Sequence, residues 1–177
     1  TSPDGVVWTL RDSPCAGVYA ITFGNGRFVA VSESAGKSIT STDGITWIAH
    51  NLPNSNAWRA IAYGKSSQMS EGLFVSTSVT GTGNRIMTSP DGETWTLRVN
   101  PLDVSWNAIT YGDCDDGGRF VGVSGDGGIG WVMTSGNGID WALRSPSDIK
   151  EWQGIAFGNN TFVAVANNGL IPAPVTG

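Results

Sequence analysis

The sequence predicts an all-β fold made of four similar four-stranded units, and three observations predict it. The pattern Ser-x-Asp-Gly-x-x-Trp occurs four times in the 177 residues, with Asn in place of Asp in the fourth copy. Each copy is followed by the same two short β-rich runs. No stretch keeps an i, i+3, i+4 apolar pattern, and 25 glycines interrupt the chain throughout, so helices are not expected.

Each repeat contains four β-rich runs, A to D. Run A has the form Trp-x-Ala-Ile-x-aromatic-Gly, as in residues 58–64. A Gly-rich turn such as 24–26 joins it to run B, Phe-Val-x-Val, which is a hairpin signal. Run C, such as 85–88, follows a variable loop. The Ser-x-Asp-Gly-x-x-Trp pattern, here named the Asp-Gly turn, then connects run C to run D, such as 94–97.

The length of the repeat predicts how the units are arranged. Successive Trp residues of the four Asp-Gly turns are 39, 48 and 46 residues apart. Four-stranded meanders with a period of about 40–50 residues are typical of a β-propeller. The residues left at the two termini amount to about one further repeat. We therefore expect one domain over residues 1–177, a four-bladed β-propeller with four antiparallel strands in each blade.

Closure of the ring is expected to use the N-terminal strand. Residues 1–10 would form the outermost strand of the blade that contains residues 152–165, because this leaves no exposed sheet edge there. Residues 169–177 would provide run C of that blade, although Pro172 and Pro174 predict a short or peripheral strand. The alternative is that the four blades are a segment of a longer chain with a larger ring.

The repeat resembles the Asp-box, or bacterial neuraminidase repeat, of β-propellers, with a turn one residue shorter than the usual Ser-x-Asp-x-Gly-x-Thr-Trp. With runs A and B it is similar to propeller repeats of phage tail and virion proteins and of bacterial surface proteins. That resemblance implies an extracellular or virion-surface location and a structural turn away from the ligand face. Turn chemistry agrees, because such side chains accept nearby backbone N–H groups. The side chains expected to be structural are Asp4, Asp43, Asp91 and Asn137.

Composition and motifs argue against several functions. A net charge of −5 is unfavourable for nucleic-acid binding, and no apolar run approaches the ~20 residues of a membrane helix. His50 is the only histidine and no Gly-x-Ser-x-Gly elbow occurs, so no catalytic triad is expected. The acidic run in 113–118 is interpreted as a solvated hairpin rather than a calcium loop. We therefore expect no catalytic residues, no metal and no cofactor.

The cysteines are expected to remain unpaired with each other. Cys15 falls in a D–A loop and Cys114 in an A–B hairpin, and these loops lie on opposite faces of a propeller. That separation exceeds the ~7 Å Cα limit of a disulfide.

A basic side chain occurs three residues after each Trp of the Asp-Gly turns. It is expected to lie over a nearby Trp or to shield the outer strand edge. The four residues in this position are Arg11, His50, Arg98 and Arg144.

A second position, directly after the first residue of run A, varies while its neighbours repeat. Run A is the innermost strand of a propeller blade, so these side chains should approach the mouth of the channel. The B–C loops at the same end contain Ser32, Glu33 and Asp126. The candidate ligand-binding residues are Tyr19, Arg59, Asn107 and Gln153.

These side chains offer planar donors and acceptors and an aromatic face, as sugars require. The sequence therefore predicts a non-enzymatic recognition or assembly module of a virion or bacterial surface protein that binds glycan or protein. Any pocket is expected near Tyr19 and Arg59. The opposite end is expected to offer mostly backbone turns. The alternatives are a sialidase-like glycan hydrolase and a purely structural virion component.

Overall fold

A computed structural model describes residues 1–125, 130–145 and 150–167, and this part of the chain is all β. It contains no helix of the length and apolar character needed to cross a membrane. The strands are β1 Val18–Gly24, β2 Arg27–Ser32, β3 Lys37–Ser41, β4 Ile48–Asn51, β5 Trp58–Gly64, β6 Leu73–Ser78, β7 Ile86–Ser89, β8 Thr96–Arg98, β9 Trp106–Gly112, β10 Arg119–Ser124, β11 Val132–Ser135, β12 Ala142–Arg144, β13 Trp152–Gly158 and β14 Thr161–Ala166.

The strands form four antiparallel meanders, which we number as blades 1 to 4. Blade 1 contains β1–β4, blade 2 contains β5–β8 and blade 3 contains β9–β12. Blade 4 contains β13 and β14 among the described residues. Runs A to D therefore correspond to consecutive strands of one blade, which confirms the predicted order of elements.

The hydrophobic core lies between successive blades. The innermost strands β1, β5, β9 and β13 pack against one another in chain order. One cluster joins Val29 and Val31 of blade 1 to Trp58 of blade 2. The next joins Val75 of blade 2 to Trp106 of blade 3. Both Trp side chains are 0% exposed, so each blade is stabilised mainly by the face it shares with its neighbour.

The four Asp-Gly turns repeat one hydrogen-bond pattern. In the second turn, Asp43 Oδ1 accepts the N–H groups of Ile45 and Thr46, each at 2.8 Å, and the Ser41 hydroxyl at 2.9 Å. Gly44 has φ +72°, which favours glycine, and its carbonyl accepts the indole N–H of the turn's Trp. The expected structural role of the turn is confirmed by this local network.

The same turn predicts a dependence of stability on pH. Backbone hydrogen bonds, first from Thr46 and then from Ile45, lower the pKa of Asp43 from 3.8 to about 2. Because the folded-state pKa lies below the unfolded one, the ionised carboxylate stabilises the fold above about pH 4, and this contribution is lost as pH falls through about 2.

The Asp43→Asn variant should therefore lose less stability than the wild type between about pH 4 and pH 2. Asn is suited to the turn, because Asn137 Oδ1 accepts the equivalent N–H groups of Ile139 and Asp140 at 2.9 and 2.8 Å. Thermal melting across this pH range measures the difference, with Asp12→Asn, outside the turns, as the control. Parallel melting curves for Asp43→Asn and the wild type would contradict the prediction.

The basic position after each turn contacts a threonine rather than a Trp ring. Arg98 Nε donates to Thr88 Oγ1 at 2.9 Å, and His50 Nε2 lies 2.9 Å from Thr40 Oγ1. The other two pairs are Arg11 with Thr1 and Arg144 with Thr134. The pairs that involve His50, Arg98 and Arg144 join the third and fourth strands of a blade, and in all four pairs the partners are ten residues apart. The basic residue is visible in the repeat, whereas its threonine partner depends on strand register.

The structure does not show the predicted closure of the ring. Residues Thr1 and Thr9 exchange both backbone hydrogen bonds with each other, at 2.6 and 2.7 Å, and the described sheet of blade 4 has two strands. In the described part of the chain, β1 and β13 form no interface comparable with those between successive blades. Residues 169–177, the expected run C of blade 4, lie outside the described residues. Closure by residues 1–10 stays a prediction.

Candidate functional site

The two ends of the propeller are formed by different connections. At one end, the A–B connections of blades 1 and 2 each contact the Asp-Gly turn of the next blade. Arg27 of blade 1, for example, donates to the Asp91 carbonyl at 3.1 Å and pairs with Glu93 at 2.6 Å. The opposite end carries the D–A and B–C loops, where recognition sites on rigid sheets are commonly built.

Tyr19 and Arg59 lie together at this second end. They occupy equivalent positions on the adjacent innermost strands β1 and β5, and the Arg59 guanidinium carbon lies 5.1 Å from the centroid of the Tyr19 ring. Glu33, directly after β2, pairs with Arg59 Nη2 at 2.5 Å. The Tyr19 side chain is 55% exposed, so the cluster is open to a ligand.

Asn107 and Gln153 form a second pair on β9 and β13. Asn107 Nδ2 donates to the Trp152 carbonyl at 2.9 Å. Gly125 leaves room for both amides, because a Cβ there would lie 2.5 Å from Asn107 Nδ2 and 2.9 Å from Gln153 Nε2. The structure thus places the four candidate residues in two polar pairs at one end of the blades.

The B–C loop residues have different roles. Ser32 is 0% exposed, and its hydroxyl accepts the backbone N–H of Ala35 at 2.9 Å. It therefore shapes the loop and does not face a ligand, which corrects the expectation from sequence. Glu33 is at the surface beside Arg59. Asp126 lies outside the described residues.

A polar cleft of about 300 Å³ lies at the opposite end, on blade 3. Its walls include Gln68, Asp116, Arg119, Asp140 and Arg144. This corrects the expectation that the end offers mostly backbone turns. The cleft lies beside the connection between β5 and β6 and the one between β9 and β10, which differ from the short hairpin of blade 1. The cleft could not be predicted from the sequence because these loops do not repeat.

The acidic run in 113–118 is used within the structure. Asp115 accepts a hydrogen bond from Asn160 at 2.8 Å, and Asp116 pairs with Arg119. Over residues 1–125, 130–145 and 150–167, no group of three or more His, Cys, Asp or Glu side chains converges to hold a metal. Cys15 and Cys114 are both free thiols.

Comparison with solved structures identifies the architecture. Virginiamycin B lyase from Staphylococcus aureus is 19% identical with a TM-score of 0.65, over 90% of this chain and 56% of the lyase. The computationally designed protein Ika4 is 17% identical with a TM-score of 0.61, over 93% of each chain. YCF48, in a structure with a D1 peptide bound, is 16% identical with a TM-score of 0.55, over 87% of this chain and 47% of YCF48.

The chain has a β-propeller fold. These similarities establish the fold alone, since all identities are below 25%. This propeller spans little more than half the length of the lyase. No family model matches the sequence, and no curated protein matches it.

Proposed function

We propose that this propeller is a non-enzymatic recognition module of a virion or bacterial surface protein, and that it binds a glycan with the end that carries Tyr19, Arg59, Asn107 and Gln153. One observation carries the proposal. The position that varies between repeats is occupied by four polar or amphipathic side chains, and these lie in two pairs at one end of a rigid scaffold. Such loop-bearing ends are where binding residues concentrate.

The charges of the cluster formed by Tyr19, Arg59 and Glu33 favour an uncharged sugar. Glu33 already neutralises Arg59, so the pair offers a planar donor and a planar acceptor without a strong net charge. Vicinal hydroxyl groups can bond to both, and the exposed Tyr19 ring can stack on a sugar face. Binding at one module is expected to be weak and to be strengthened by several copies on one particle.

A protein ligand is the second candidate. YCF48, which has a similar fold, has been solved with a D1 peptide bound. The Asn107 and Gln153 amides can donate to and accept from the backbone of an extended peptide. The same end of the propeller would then be used.

The only histidine of the sequence does not lie with the candidate ligand-binding residues. The similar lyases include a catalytically inactive variant in which a histidine is replaced by alanine, solved with quinupristin. In this chain His50 lies on strand β4 and is engaged with Thr40 at 2.9 Å. It is on an outer strand of blade 1, away from the innermost strands that carry the Tyr19 and Asn107 pairs.

A glycan array with the intact module tests the proposal. On any uncharged glycan that binds, Tyr19→Ala and Arg59→Ala should each raise Kd by about tenfold or more, because each removes a central contact. Gln68→Ala, in the cleft at the opposite end, is the matched control and should leave Kd unchanged.

Two results would count against glycan binding. One is an array without any bound glycan, and the other is a bound glycan whose Kd is unaffected by both substitutions. A peptide library that yields a ligand sensitive to Tyr19→Ala would then favour the second candidate.

A further inference from the structure

Each interface between blades uses the same fit of an aromatic ring over a glycine. The glycine that ends the innermost strand of one blade lies under the aromatic ring at the equivalent strand of the next blade, and a Cβ on that glycine would overlap the ring. The three pairs are Gly24 with Tyr63, Gly64 with Tyr111 and Gly112 with Phe157. The geometry of a blade-to-blade contact is therefore known from three examples in the same chain.

The first blade presents the ring side of this contact without a partner. Val18, Ile21 and Phe23 of β1 are 39%, 57% and 57% exposed, and we name them the head face. Their counterparts in β5 include Trp58 and Ile61, which are 0% and 8% exposed because they pack against blade 1. The head face thus has the chemistry of a buried interface.

The last blade presents the glycine side. Gly158, Val163 and Val165 form what we name the tail face. No atom lies within 4 Å of a Cβ placed on Gly158, and the two valines are 45% and 48% exposed. The equivalent Val29 and Val31 of blade 1 are both 0% exposed under blade 2. Head and tail faces are therefore the two halves of one repeated interface.

We propose that two copies of this chain associate head to tail, with the head face of each copy on the tail face of the other. Such a contact is heterologous and forms a closed ring only when the rotation between copies returns to the start. Two copies with four blades each would close a ring of eight blades, which lies within the usual range for propellers.

The N-terminal residues support another blade in front of blade 1. Thr1 Cγ2 lies 3.7 Å from a Cβ placed on Gly44, just as Thr40 Cγ2 lies 3.2 Å from one placed on Gly92. Thr40 belongs to run C of the preceding blade, so the N-terminal turn occupies the place of an outer run of a blade in front of blade 1. Blade 4, as described, has the inner strands β13 and β14 only. In the proposed dimer, the N-terminal turn of one copy would lie beside β13 and β14 of the other copy.

A second copy fits these observations better than closure of one chain on itself. The interfaces between successive blades repeat three times, yet the described residues of β1 and β13 do not come together in a fourth. The chain also overlies 56% of virginiamycin B lyase, so four blades in this arrangement occupy about half of a longer propeller. The ring would then be closed by contacts between two copies and not by contacts within one chain.

Sedimentation velocity of the 177-residue chain tests this proposal. The expected particle has twice the chain mass of 18.5 kDa. Phe23→Asp on the head face and Gly158→Phe on the tail face should each raise the dissociation constant by at least about tenfold, since one buries a charge and the other fills the glycine site. Val99→Asp introduces the same charge at a 79% exposed valine outside both faces and should have no effect.

A mixture of the two variants gives the decisive measurement. The Phe23→Asp variant retains an intact tail face, and the Gly158→Phe variant retains an intact head face. One native interface can therefore form between the two variants, and the mixture should contain more dimer than either variant alone. Circular dichroism confirms that each variant is folded.

Three results would overturn the proposal. The first is a wild-type chain that stays monomeric up to high concentration, as expected for closure on itself. The second is a dimer that only Phe23→Asp weakens, which would indicate a head-to-head contact. The third is a mixture that forms no more dimer than the separate variants.

Discussion

Replacement of Trp95 by alanine is expected to lower the free energy of unfolding by about 3–5 kcal/mol, the usual range for a buried aromatic side chain. Trp95 is 7% exposed and packs in the cluster that joins blades 1 and 2. Its indole N–H lies 3.0 Å from the Gly92 carbonyl in its own turn and 3.0 Å from the Ser38 hydroxyl of blade 1. Removal of the indole would leave a cavity between blades 1 and 2. The Gly92 carbonyl and the Ser38 hydroxyl would also lose this hydrogen-bond donor.

Urea denaturation below the concentration of association measures this effect. Trp8→Ala is the matched control, because Trp8 occupies the same place in the N-terminal turn, donates to the Gly5 carbonyl at 3.1 Å, and is 71% exposed. We expect it to change stability by less than about 0.5 kcal/mol. Asp91→Ala should fall between the two, at about 1–2 kcal/mol, as the loss of a turn acceptor. Equal effects of the two Trp substitutions would show that burial between blades is not what stabilises the repeat.

The repeat explains why the strands could be predicted from sequence. Each Asp-Gly turn closes through its own side chains, as Asp43 does with Ile45 and Thr46, so the turn does not depend on distant residues. The short hairpin at Asn25 and Gly26 is equally local, with both residues at positive φ. Where the deciding contacts lie within one turn, the motif and the structure agree.

Contacts between blades were harder to predict. The Tyr63 ring lies over Gly24 of the preceding blade, and the repeat contains both residue types without indicating that they meet across two blades. The sequence therefore predicted the blades and their order, whereas the described structure leaves the head and tail faces uncovered.

The candidate site shows the same division. Tyr19 and Arg59 could be found because their position in run A is fixed by the repeat. The partner Glu33 was placed at the correct end, but its ion pair with Arg59 depends on the conformation of the B–C loop. The cleft beside Gln68 and Arg119 lies among loops that differ in length between the repeats, so the repeat does not predict it.

Gly64→Ala is expected to destabilise the propeller by about 1–3 kcal/mol, as overpacking of a filled interface does. A methyl group at Gly64 would overlap the Tyr111 ring, which belongs to the next blade and is held by Phe120, with ring centroids 5.0 Å apart. Since the ring cannot move without displacing Phe120, blades 2 and 3 would have to separate slightly. Gly64 is not at positive φ, so the cost would come from packing and not from backbone strain.

Gly158→Ala makes the same chemical change where the interface is uncovered. No atom lies within 4 Å of the added methyl group, so the monomer should keep its stability to within about 0.5 kcal/mol. Both variants are compared by urea denaturation below the concentration of association, where no second copy covers the glycine. If Gly158→Ala destabilised the monomer as much as Gly64→Ala, the tail face would already be covered within one chain, and the ring would close on itself. A loss of stability for Gly64→Ala alone would instead indicate that the glycine site on blade 4 is unfilled in the monomer, as the proposed contact with a second copy requires.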